Sequence, residues 1–246
     1  MLVSMRKIFM KRAFFFLFIF LAVAGDVWAQ GRQQVDFNAG WRFKLADDLA
    51  FRRLDFKDSD WSSVVLPHDW SILSDFGAHF PAGNAGGALP GGTGWYRKNF
   101  QLGDADKGKK ISIDFGGAYR YTEVWINGQY LGKHVNGYLS FSYDLTPYLR
   151  HGGQENTIAV RVDNSLQPNS RWYSGSGIYR DVHLTVTNPI HILREETFLT
   201  TPSLSKDKGT IRVRSKLNNT AQQAVNLHIR VLDAKGKSVA EKKTSV

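Results

Sequence analysis

The sequence predicts an all-β sandwich. Short runs of alternating apolar and polar residues recur along the chain, 23 glycines and several turn dipeptides punctuate them, and helix-favouring runs are scarce. A length of 246 residues suggests one or two domains. A hydrophobic fraction of 42%, with 13% aromatic, is enough to build a core and excludes wholesale disorder.

The first segment stands apart from this pattern. Arg6, Lys7, Lys11 and Arg12 precede an apolar run from Ala13 to Ala24, and Val27 and Ala29 put small residues three and one positions ahead of Gln30. That is the pattern of a secretory signal peptide over residues 1–29, cleaved after Ala29. The run is shorter than the ~20 residues that span a bilayer. A retained N-terminal anchor is the alternative reading. The expectation is a secreted or periplasmic protein with no membrane association after cleavage. The chain has no cysteine, so it has neither a lipidation site nor a disulfide framework, and burial must stabilise it. The net charge of +10 falls to +7 once Arg6, Lys7, Lys11, Arg12 and Asp26 are set aside. The remaining bases are interspersed with acids, which reads as a solvated basic surface and not a nucleic-acid partner.

From Phe37 to Leu45 the residues Trp41, Phe43 and Leu45 share one face, opposite Arg42 and Lys44, predicting a half-buried strand. Residues 74–94 hold paired glycines and no sustained period, predicting a long loop, with a strand resuming at Trp95. Ile111, Ile113 and Phe115 predict another strand. Glu123–Ile126 and Gln129–Leu131 flank Asn127-Gly128, the turn pair of a tight hairpin, since both positions need positive φ. Alternation at Phe141–Leu145, Ile158–Asp163 and Val182–Val186 brings the total to at least seven strands, a sandwich or barrel. Asn188-Pro189 marks a boundary. Beyond it, Ile190–Thr200, Thr210–Leu217 and Ala224–Leu232, with a turn at Asp233–Gly236, predict three or four strands of a smaller sandwich over residues 189–246. No closing strand precedes Val246, so this second sandwich is incomplete and would leave strand edges unpaired.

The catalytic inventory is thin. Ser174-Gly175-Ser176-Gly177 resembles a nucleophile elbow but lacks its strand-to-helix setting. The histidines lack metal-ligand spacing, so each is assigned to structure or surface and no metal or cofactor is expected. The glycines from Gly83 to Gly94 lack a phosphate-loop ending. What remains is a sugar-like constellation. Aromatic rings cover the flat C–H faces of sugars, and Arg, Asn and Asp satisfy hydroxyls with paired hydrogen bonds. Asn169-Ser170-Arg171-Trp172-Tyr173 supplies these groups in one stretch, which also reads as a packed loop with core aromatics.

Four motifs carry a family resemblance. Leu66-Pro67-His68-Asp69-Trp70, Leu89–Lys98, Val124–Gly128 and Ser170–Val182 look, in this order, like the N-terminal domain of family 2 glycoside hydrolases, most nearly the bacterial β-galactosidase branch. The resemblance implies a jelly-roll sugar-binding domain over residues 30–188, followed by the start of an immunoglobulin-like sandwich. It also implies a retaining O-glycosidase whose two catalytic glutamates lie in a following (β/α)8 barrel, outside these 246 residues. Glu123, Glu155, Glu195 and Glu196 match no catalytic motif of the family, so no catalytic residue is assigned and the chain alone is expected to be inactive. Family members often carry a sugar-contacting Asp six residues before the glycine of the Gly-Ile-x-Arg motif; here that position is Arg171. The substrate-binding candidates are therefore Arg171, Trp172 and Asn169. Arg180 and Asp181 read as a structural pair at a strand start, and Trp125 as core. The implied partners are a β-galactoside-like glycan, the barrel and a possible second copy of the chain. A free-standing lectin-like module is the alternative function.

Overall fold

The computed structural model describes residues 31–220 and 222–246; the expected signal segment lies outside them. Alternating runs become strands wherever a partner strand and a core face are both available. Ten strands build a jelly-roll-type sandwich. One sheet has four antiparallel strands in the order β1 (Arg32–Asp36), β10 (Val182–Thr187), β5 (Lys110–Phe115), β8 (Phe141–Asp144). The other has six, in the order β3 (Ser62–Val64), β2 (Trp41–Leu45), β4 (Gly92–Gln101), β9 (Glu155–Asn164), β6 (Thr122–Ile126), β7 (Gln129–His134). Ile113, Phe115, Val182 and Leu184 face Trp41, Val124, Ile158 and Val160 across the core. Burying aliphatic and aromatic side chains at about 1.5–3 kcal/mol each makes this contact the main source of stability.

The six-stranded sheet also buries its outer face. Residues 46–61 fold across it, so Phe51 and Trp61 close over Trp95, Trp125 and Ala159. Trp95 and Trp125 stack with centroids 5.2 Å apart, and Trp125 is core as expected. Arg97, 2% exposed, ties the covering segment down through Asp58 at 2.8 Å and the carbonyl of Arg53 at 3.1 Å.

The structure moves several predicted boundaries: β2 begins at Trp41 and not Phe37, and β11 runs on to Leu204. β4 begins at Gly92, three residues before the predicted Trp95. Gly94 pairs with Leu45 and Val162, yet gives no alternation signal because it has no side chain. A Cβ on Gly94 would sit 2.7 Å from both Phe43 and Trp70, so the strand passes there only as glycine. The Asn127-Gly128 turn is as predicted, with φ of +49° and +80°.

Beyond residue 188 four strands form two separate hairpins. β11 (His191–Leu204) pairs with β12 (Gly209–Asn218), and β13 (Asn226–Leu232) with β14 (Ser238–Ser245). Gly236 turns the second at φ +79°. Val225, Leu227, Ile229 and Val231 share a face that is only half-buried.

Candidate functional site: a pinned rim loop

Residues 165–176 leave the end of β9 and return through a bridge between Gly177 and Tyr119. This loop carries all three predicted sugar-contact residues, and the chain spends many hydrogen bonds to hold it. Asn164 donates to the carbonyl of Gly175 at 3.0 Å and to Ser176 Oγ at 2.8 Å. Asp69 accepts from the backbone of Ser71 at 3.0 Å and of Ser176 at 2.9 Å through Oδ1, while its Oδ2 accepts from the Tyr173 hydroxyl. Burial and this carboxylate both push the Tyr173 phenol upward, so it stays a donor. Ser71 Oγ lies 2.6 Å from Ser176 Oγ. Gly175 holds φ +77°, and a Cβ there would stand 2.8 Å from Asp69 Oδ2.

Asn169 sits inside this web. Its amide donates to Asn164 Oδ1 at 2.6 Å and the Leu166 carbonyl at 3.4 Å, and its oxygen accepts from Tyr119 at 3.3 Å and Ser174 at 3.4 Å. All four hydrogen-bonding positions of the side chain are therefore occupied within the protein. Asn169 holds the loop's shape. Trp172 and Arg171 stand on the other side of the account. Trp172 is 67% exposed, and Arg171 is exposed with no hydrogen bond or ion pair among the described residues. The cavity beneath the loop is about 20 Å³, room for a water and not a sugar ring. The indole and guanidinium stand on the outer surface of the loop.

Sequence reasoning placed Arg171, Trp172 and Asn169 on one loop correctly but missed Asp69, Ser71 and Asn164, which hold it. Asp69 lies about 100 positions away in the chain, and the sequence marked it only as part of the Leu66–Trp70 motif, with no role. His68 is structural: its Nδ1 lies 2.8 Å from the Tyr96 hydroxyl and its ring packs on Phe43. Arg180 and Asp181 do not pair with each other. The chain bends at Arg180, before β10 begins, and each side chain finds another partner. Arg180 lies over the Tyr179 ring at 5.4 Å, and Asp181 accepts from Asn38 at 3.1 Å. Glu123 is engaged by Arg161 at 3.2 Å. Among the described residues no cluster of three His, Asp or Glu side chains is arranged to hold a metal ion.

Comparison with known proteins places this geometry. Residues 36–189 match the family described as glycosyl hydrolases family 2, sugar binding domain. The chain is 49% identical over 216 residues to β-galactosidase BoGH2A of Bacteroides ovatus, a match covering 87% of this chain and 25% of that protein. The crystal structure of a β-glycosidase from Bacteroides vulgatus superposes with a TM-score of 0.83 at 36% identity, over 87% of this chain and 28% of that one. A β-glucuronidase from Bacteroides uniformis gives 0.76 at 30% identity, over 87% and 26%. The chain thus spans about a quarter of the length of the relatives it matches. The chain belongs to glycosyl hydrolase family 2, and residues 36–189 are its sugar binding domain.

Proposed function

We propose that this chain is the non-catalytic front of an exported retaining β-glycosidase, acting on β-galactoside-like glycans, and that its rim loop meets the glycan through Arg171 and Trp172. In this reading residues 1–29 direct export, residues 30–188 bind sugar, and residues 189–246 contribute strands of an immunoglobulin-like sandwich that leads to the catalytic barrel. The additional length of the relatives leaves room for that barrel, where two carboxylates perform the hydrolysis. One observation carries the sugar-binding role: a tryptophan 67% exposed on a loop that hydrogen bonds hold rigid from beneath. An exposed indole on a fixed loop stacks on a pyranose face with little loss of conformational entropy. Arg171 beside it donates paired hydrogen bonds to ring substituents.

Two measurements test the reading. The purified chain should give no turnover of nitrophenyl β-galactoside, and detectable hydrolysis would contradict it. In affinity electrophoresis through galactan-containing gels the chain should be retarded, and Trp172→Ala should run with the reference protein. Unchanged retardation of that variant would remove the rim loop from the account.

A further inference from the structure

The outward face of the four-stranded sheet carries few apolar side chains. Its register sets Arg32 opposite Thr187, Thr187 opposite Lys110, Thr185 opposite Ser112, and Ser112 opposite Asp144. β11 approaches this face. A register shift between Ile192 and Thr197, with Glu195 at φ +58°, marks an irregular stretch there, and its Arg194 forms an ion pair with Asp114. Asp114 is 3% exposed and also accepts from the Thr185 hydroxyl. Between the sheet face and β11 lies a cleft of about 260 Å³ lined by Arg32, Lys110, His191 and Arg194, with Asp144 as its one carboxylate.

The hydrogen-bonding capacity of these bases is largely uncommitted. Arg32 spends one nitrogen, on the Ile192 carbonyl at 2.7 Å. Lys110 forms a loose ion pair with Asp144 at 3.8 Å, too long to use its hydrogen-bond donors. His191 uses Nδ1 on the Asn188 carbonyl at 2.7 Å, which leaves Nε2. Arg194 turns Nη1 to Asp114 and Nε towards Glu195 at 3.4 Å, which leaves Nη2. The hydroxyls of Ser112 and Thr187 lie among them. Arg32, Lys110 and Arg194 are balanced by Asp144, Asp114 and Glu195, so the case for an anion rests on the free donors and not on net charge. No phenylalanine, tyrosine or tryptophan lines the cleft to cover the face of a neutral sugar. Guanidinium and ammonium donors gathered from three strands suit an oxyanion.

We propose that this cleft, separate from the rim loop, binds an oxyanion carried by an acidic saccharide, either a sulfate ester or a uronic carboxylate. The saccharide part rests on the sugar-binding reading above; the oxyanion part does not. The test is calorimetric titration of the chain at low chloride with sodium sulfate, galactose 6-sulfate, sodium glucuronate and methyl β-galactoside. Saturable binding of galactose 6-sulfate or glucuronate is expected, weakened at least tenfold in Arg32→Gln and Lys110→Gln, retained in Lys110→Arg and unaffected by Trp172→Ala. Absence of saturable binding by every anion, or unchanged binding in both glutamine variants, would overturn the proposal. Free sulfate binding as tightly as galactose 6-sulfate would overturn the saccharide part and leave the oxyanion site. Loss of anion binding in Trp172→Ala would merge the two sites and overturn their separation. Circular dichroism of each variant guards against misfolding, and the charge-keeping Lys110→Arg separates a binding role from a structural one.

Discussion

Asp69 and Trp172 do opposite kinds of work on one loop, and substitution should separate them. Trp172 is mostly exposed, and its side chain has no hydrogen-bond partner among the described residues to leave unsatisfied. Trp172→Ala should change stability by less than ~0.5 kcal/mol while abolishing glycan retention; chemical denaturation checks the first part. Asp69→Ala strands the Ser71 and Ser176 amides and the Tyr173 hydroxyl. A loss of roughly 1–3 kcal/mol is expected, with faster hydrogen exchange across residues 170–176. An exchange rate unchanged in that segment would show that Asp69 does not hold the loop. The sequence made Trp172 legible, because an aromatic beside arginine and asparagine in a glycine-flanked stretch is a compositional signal. Asp69 was not legible. Its role arises from a contact about 100 positions away along the chain, and no local period encodes such a contact.

Among the elements, the β6–β7 hairpin shows how a turn residue also becomes an internal strut. Asn127 Nδ2 donates to the Tyr148 carbonyl and to Asn156 Oδ1, both at 2.8 Å, and its Oδ1 accepts from Thr157 N at 2.9 Å. Gly128 next to it has open space where a Cβ would stand. Gly128→Ala should therefore cost only the ~1 kcal/mol of left-handed backbone strain, whereas Asn127→Ala should cost about 2–3 kcal/mol by leaving buried partners unpaired. Thermal unfolding of the two variants tests the ordering. The hairpin itself was plain in the sequence, since Asn-Gly between alternating runs has one common structural use. The strut was not, because it depends on strand β9 and on Tyr148 arriving from elsewhere. Alternation likewise identified the inner faces of β5, β9 and β10. It did not reveal that Trp95 and Trp125 face a second buried layer, because a covering segment of polar composition, residues 46–61, gives no period of its own.

For the whole molecule, two half-buried bases shape the pH dependence on either side of neutrality. Burial holds His68 below its ordinary value of 6.5. The unfolded chain then takes up that proton first as pH falls, so stability should decline below about pH 6.5, and His68→Gln should flatten the decline. Burial against Phe37 and Trp41 lowers Lys98 from 10.5 to about 8, while nearby Asp36 opposes the shift. Between those values the unfolded chain binds the extra proton. Stability should therefore rise from about pH 8 to pH 10.5 and be insensitive to Lys98 below that window. Denaturant midpoints measured across both ranges check the sign of each effect. The overall class followed from alternation and turn chemistry. The arrangement of the last four strands as two separate hairpins did not, because pairing partners are chosen by packing and not by local pattern.

The account turns on whether Trp172 receives sugar. Of the tryptophans among the described residues, it alone is broadly exposed; Trp41, Trp61, Trp70, Trp95 and Trp125 are buried. Acrylamide quenching of tryptophan fluorescence, measured with and without saturating methyl β-galactoside in the chain and in Trp172→Phe, isolates its contribution. The account predicts that sugar protects the chain from quenching and has no effect on the variant. Quenching that is the same with and without sugar in the chain itself would contradict it.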